Sequence, residues 1–114
     1  MVTMKAARSV ALGLPEATEQ DHHGMASFRV RGRIFATVPD ERHLRVMVDE
    51  AEVQAACAEA PAACEPLFWG ARLAGVVVEL RSIPAPLLRE LLAEAWRRKA
   101  PATLVREFDA STAS

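Results

Sequence analysis

Among the side chains of this 114-residue chain that could do chemistry, the arginines stand out. Arg29, Arg31 and Arg33 alternate with Val30 and Gly32, and Arg42 and Arg45 follow. Residues 27–48 therefore hold five arginines against Asp40 and Glu41, a local charge of +3. A guanidinium group matches the oxygens of a phosphate bidentately, which a lysine ammonium does not. Gly32, between Arg31 and Arg33, permits a tight turn and the close approach of a partner's backbone. Such a cluster can hold a phosphate backbone, and it is equally what a solvated hairpin tip presents.

The other reactive residues make weaker sets. Asp21-His22-His23 contains the only adjacent histidines. Neighbours on a strand point to opposite faces, so His22 and His23 are not expected to share a metal, and no third ligand follows at a suitable spacing. Their imidazoles could still add charge to a polyanion contact. Cys57 and Cys64 flank the helix-ending Pro61. Glu59 and Glu65 beside them disfavour the thiolate that nucleophilic or redox work requires, so both read as buried free thiols. Glu16, Glu19 and Asp21 could supply paired carboxylates, but on an exposed strand they read as solvated charge. There is no Gly-x-Ser-x-Gly, no phosphate-cradling glycine loop and no His-Glu-x-x-His, and glycine totals five. The expectation is a protein that is not an enzyme and carries no cofactor and no metal.

Length and composition set the frame. The chain fits one domain over residues 1–114, with an apolar fraction of 51% and a charged fraction of 25%, as in ordinary soluble proteins. The longest apolar run, Leu73 to Val78, is far shorter than the ~20 residues of a membrane helix, and the start of the chain lacks a signal-peptide core. A cytoplasmic, monomeric protein is expected. Twelve arginines against two lysines, with abundant alanine, fit GC-rich bacterial coding. Residues 49–71 oppose the basic segment with Asp49, Glu50, Glu52, Glu59 and Glu65 and no Lys or Arg, a local −5. An acidic helix over 50–60 is thus a candidate docking face for a protein partner.

The elements that must position these residues follow from periodicity and punctuation. Met4, Ala7, Val10 and Ala11 share a face, predicting a helix over 4–13 that Gly13 and Pro15 stop. A weak strand is expected over 17–22. Phe28–Val30 and Ile34–Val38 have strand composition and form a hairpin about Arg31-Gly32. A two-residue loop sets Val30 opposite Arg33, and a three-residue loop sets it opposite Ile34; pairing apolar with apolar favours the latter. Another strand is expected over 44–48 after the turn Pro39-Asp40-Glu41-Arg42. Asp49 caps the helix 50–60, with Glu52 reaching back to complete a capping box. Leu67-Phe68-Trp69-Gly70 is a short strand or loop whose aromatic pair belongs in the core or anchors a partner. A central strand occupies 76–80. Leu88, Leu91, Leu92, Ala95 and Trp96 give a helix over 86–99 a wide buried stripe, with Trp96 as core anchor and Arg97, Arg98 and Lys99 at the end that suits positive charge. Pro101 closes it, and 110–114 frays. The order α-β(3-4)-α-β(2)-α reads as α+β, an antiparallel sheet with helices on one face.

Leu14-Pro15, the Gly24 turn, Ser27 through Ala36, Trp69-Gly70, Leu91 through Trp96 and then Ala100-Pro101 occur in an order and spacing that resembles the MmcQ/YjbR family of small bacterial proteins. The resemblance spans the first helix to Pro101. It implies a compact α+β domain similar to secretion-chaperone folds, with hairpin wings proposed to touch DNA. One departure is that members often carry Gly-Trp entering the late central strand, where this chain has Gly75-Val76, a position that packs or lines a groove. Together with the charge pattern, the resemblance implies duplex DNA as partner, contacted through Arg29, Arg31, Gly32, Arg33, Arg42 and Arg45. A two-stranded ribbon of this kind fits a major groove. The alternative is a protein–protein adaptor or chaperone-like module.

Overall fold

Four two-residue turns shape the sheet in the computed structural model, which describes residues 1–112. The elements run α1 (Met4–Leu12), β1 (Ala17–His22), β2 (Met25–Val30), β3 (Arg33–Asp40), β4 (His43–Val46), α2 (Glu50–Glu59), β5 (Cys64–Trp69), β6 (Arg72–Glu79), α3 (Ala85–Lys99) and α4 (Ala102–Thr112). All six strands join one antiparallel sheet in the order β1-β2-β3-β4-β6-β5. The protein is α+β, as the alternation of strands and helices predicts.

Register divides the sheet into two chemically different faces. Phe28, Ala36, Val46 and Val76 stand side by side across β2, β3, β4 and β6, all fully buried under the helices. One step along, Ser27, Thr37, Arg45 and Val77 line the opposite, helix-free face. Helix α3 packs on β2, β3 and β4, while α2 packs on β5 and β6. The core is continuous from Ala7 and Ala11 of α1 to Leu88, Leu92 and Trp96 of α3. Trp96 anchors it: the ring is fully buried, its indole N–H donates to Pro15 O at 2.9 Å, and it packs 4.9 Å from the Phe108 ring.

Three local expectations are corrected. The loop at Arg31-Gly32 has two residues, so Val30 pairs with Arg33 rather than Ile34. Both loop residues have positive φ (52° and 79°), the geometry whose twist suits a hairpin. Apolar pairing is recovered further along by a bulge: Phe28 pairs with Ala36 and Arg29 with Ile34, leaving Phe35 as an extra residue on β3. Phe35 and Ala36 can then both be buried although they are consecutive. The capping box at Asp49 is half formed. Asp49 accepts from Glu52 N at 3.0 Å, but the Glu52 side chain makes no return bond among the described residues. It lies half-buried near Glu94 and Glu90 of α3, and burial followed by those like charges pushes its carboxyl upward. Pro101 closes α3 as expected, but the element order was one helix short, since the chain re-enters a helix at Ala102 immediately after this proline. Residues 110–112 of the expected frayed tail belong to α4; 113–114 lie outside the described residues.

Gly75 and Val76 pack rather than line a groove. Val76 is fully buried, and a Cβ on Gly75 would lie 2.2 Å from Val46 O. The close pairing of β4 with β6 therefore depends on this glycine.

Candidate functional site

The sheet face that carries Thr37 and Arg45 bears a solvent-open groove of about 640 Å³, in the size range of ligand clefts. Its floor is built from Met25, Ile34, Thr37, Met47, Leu73 and Ala74. Five cationic side chains border it: Arg29 from β2, Arg45 from β4, Arg72 from β6, and Arg98 and Lys99 from the end of α3. His22 and His23 stand at another edge, and no Asp or Glu is in the lining. A surface of this composition attracts anions over its whole area.

Individual partners show how the cations are held. Arg29 is half-buried and donates from Nε to Ser27 Oγ at 3.0 Å; Ser27 in turn donates to Gln20 O at 2.8 Å. Arg45, Arg72 and Arg98 make no ion pair or side-chain hydrogen bond among the described residues. The Lys99 ammonium is pushed below its ordinary value by partial burial and then by Arg98, Arg33 and Arg72. Positive charge is thus concentrated here without compensation, and an anion entering the groove would relieve it.

The structure divides the arginines that the sequence groups together. Arg29, Gly32 and Arg45 line the groove. Arg31 turns away and grips Glu16 with two bonds, Nε–Oε1 at 2.5 Å and Nη2–Oε2 at 2.9 Å, which hold the Glu16 carboxyl below the usual range. Arg33 donates to Lys99 O at 3.3 Å and so satisfies a terminal carbonyl of α3. Arg42 lies beside Glu79 at 3.6 Å, in a turn where Asp40 accepts from the Arg42 backbone N–H. The three alternating arginines therefore do not form one tip.

Sequence reasoning missed Arg72, Arg98 and Lys99 as groove residues. The basic last turn of α3 was visible, but it accounts for itself as a complement to the helix dipole. Only the pairing of β4 with β6 brings Arg72 toward Arg45. His22 and His23 are also placed differently than expected. His23 occupies a turn with φ of 53°, so the two rings come together at 4.5 Å rather than on opposite faces. Among the described residues, no group of three His, Cys, Asp or Glu could hold a metal ion. Phe68 and Trp69, expected in the core or at a partner contact, are 56% and 53% exposed.

Each carboxylate of the proposed acidic set has a structural partner. Glu16 pairs with Arg31, Glu19 with Arg8 at 2.7 Å, and Asp21 accepts from Gly24 N at 3.3 Å. Cys57 and Cys64 are free thiols, and burial, aided by neighbouring Cys57 and Glu59, pushes Cys64 up to about 11. Burial and Glu65 raise Cys57 as well. Among the described residues, no helix is long and apolar enough to cross a membrane.

A six-stranded antiparallel sheet of this order packed against helices makes this an α+β protein. The chain belongs to the YjbR family, whose model matches residues 12–98. It is similar to a solved structure, the Deinococcus radiodurans protein DR2400 with its DUF419 domain. The identity is 26%, covering 84% of this chain and 77% of that one, with a TM-score of 0.71. No curated protein matches the chain. Helix α1 lies almost wholly outside the matched segment and α4 entirely so, whereas every groove residue but Lys99 lies inside it.

Proposed function

We propose that this is a nucleic-acid-binding protein that takes the phosphate backbone in the groove on the open face of the sheet. The observation that supports the reading most directly is the lining: five cations, two imidazoles and no carboxylate. Phosphate contacts of this kind carry affinity without reading sequence. The groove is built within a single chain, so a monomer suffices to bind. The contact surface differs from the hairpin tip suggested by sequence, since Arg31, Arg33 and Arg42 have structural partners elsewhere.

The test is binding of the full chain to labelled mixed-sequence oligonucleotides, single-stranded and duplex, at ~50 mM salt, where the electrostatic attraction is strong. Arg45→Glu with Arg72→Glu should abolish binding, while Arg81→Glu, on an exposed turn outside the groove, should leave it unchanged. Absence of binding to either form refutes the reading. A protein-adaptor role has one observation in its favour, the exposed Phe68 on edge strand β5 beside the acidic α2. It predicts salt-tolerant co-purification with one protein.

A further inference from the structure

Trp69 is the largest exposed side chain at the groove. It lines the groove, opposite Arg72 in the β5–β6 hairpin, with half its surface in solvent. Among the described residues its ring meets no other aromatic ring and its indole N–H has no acceptor. The second tryptophan, Trp96, has both. An apolar ring left free at the rim of a basic hollow is a stacking platform in need of a flat partner. Arg72 beside it and Arg45 across the floor supply cations at the same place.

Strand state follows from that juxtaposition. In a duplex each base is covered above and below by its neighbours, so no base face is open to a side chain without unstacking. Arg29, Arg45 and Lys99 are half-buried against the sheet, and a flexible single backbone can descend to them. We infer that the groove selects unpaired nucleotides: a single strand lies along the open face, its phosphates on Arg29, Arg45, Arg72, Arg98 and Lys99 and one base stacked on Trp69. This rests on the nucleic-acid reading above and specifies its ligand. DNA and RNA share the chemistry described, so both enter the test.

The experiment measures affinity of the full chain for dT15, U15 and a 15-base-pair mixed duplex at ~50 mM salt. Both single strands should bind more tightly than the duplex. Trp69→Ala should weaken single-strand binding by roughly tenfold or more, the usual effect of losing one base–aromatic stack, and leave duplex affinity unchanged. Trp69→Phe should retain most of it, and wild-type tryptophan fluorescence should quench on adding dT15. Equal affinity for duplex and single strand, or a Trp69→Ala variant indistinguishable from wild type on dT15, overturns this inference while leaving nucleic-acid binding intact. Failure of all three ligands to bind overturns both. A strong preference between dT15 and U15 within a Trp69-dependent response supports the inference and identifies the source.

Discussion

Replacing Arg45 and Arg72 together with glutamine should flatten the salt dependence of nucleic-acid binding by a predictable amount. Five cations border the groove, and glutamine removes two charges while keeping part of each aliphatic stem. Counterion release makes log affinity fall with log salt at about −0.7 per phosphate contact on a single strand, so five contacts give a slope of about −3.5 and three give about −2.1. Between ~50 and ~200 mM salt, the wild type should lose roughly a hundredfold in affinity and the variant roughly twentyfold. The assay is fluorescence anisotropy with dT15 at four salt concentrations, with circular dichroism melts to show that both proteins are folded. Arg31→Gln serves as control. Arg31 is committed to Glu16 outside the groove, so its removal should leave the slope unchanged. A double variant with the wild-type slope, or an Arg31 variant that flattens it equally, would refute the placement of phosphates in this groove.

Trp96→Ala should destabilise the fold by about 3–5 kcal/mol, since a fully buried indole and its bond to Pro15 O are lost together; urea unfolding within 1 kcal/mol of wild type would contradict this. Glu52→Gln should stabilise at neutral pH. Its carboxyl is raised by burial and then by Glu94, Asp49 and Glu90, so the stability it contributes is complete below the unfolded carboxylate range and lost as pH rises through its folded value. The gain should be under about 1 kcal/mol at pH 7 and vanish near pH 3.5, and a lower melting temperature at pH 7 would count against it. Cys64, pushed up to about 11, is thiolate in roughly one molecule per thousand at pH 8, so it should resist Ellman's reagent until denaturant is added. The same raised value means that stability drawn from the neutral thiol is present below about pH 8.5 and declines as pH climbs toward 11. Stoichiometric labelling of both native thiols within minutes would reject the assignment.

Much of the secondary structure is local, and local signals survive in a sequence. The β-branched run of β6, the apolar stripe of α3 and the Asp49 cap depend on residues within a turn or two of one another, so periodicity and capping chemistry locate them. The α+β class and the single helical layer follow, because an alternating strand such as β4 has one face to bury. The charge of their segment likewise singled out Arg29 and Arg45, which the structure places in the lining of the groove.

What tertiary structure decided is whatever depends on residues far apart in the chain. The Phe35 bulge sets hairpin register by what β3 must bury against α3, which no count along the hairpin contains. Arg31 is withdrawn from the surface cluster by Glu16, fifteen residues earlier, and Arg33 by a carbonyl sixty-six residues later. The groove itself exists because β6 pairs with β4 across the intervening α2 and β5, and because α3 ends beside that sheet face. Charge carries no record of its neighbours until the chain folds. The sequence determined that arginines would crowd the surface, and strand order decided which of them would share a hollow with a free tryptophan.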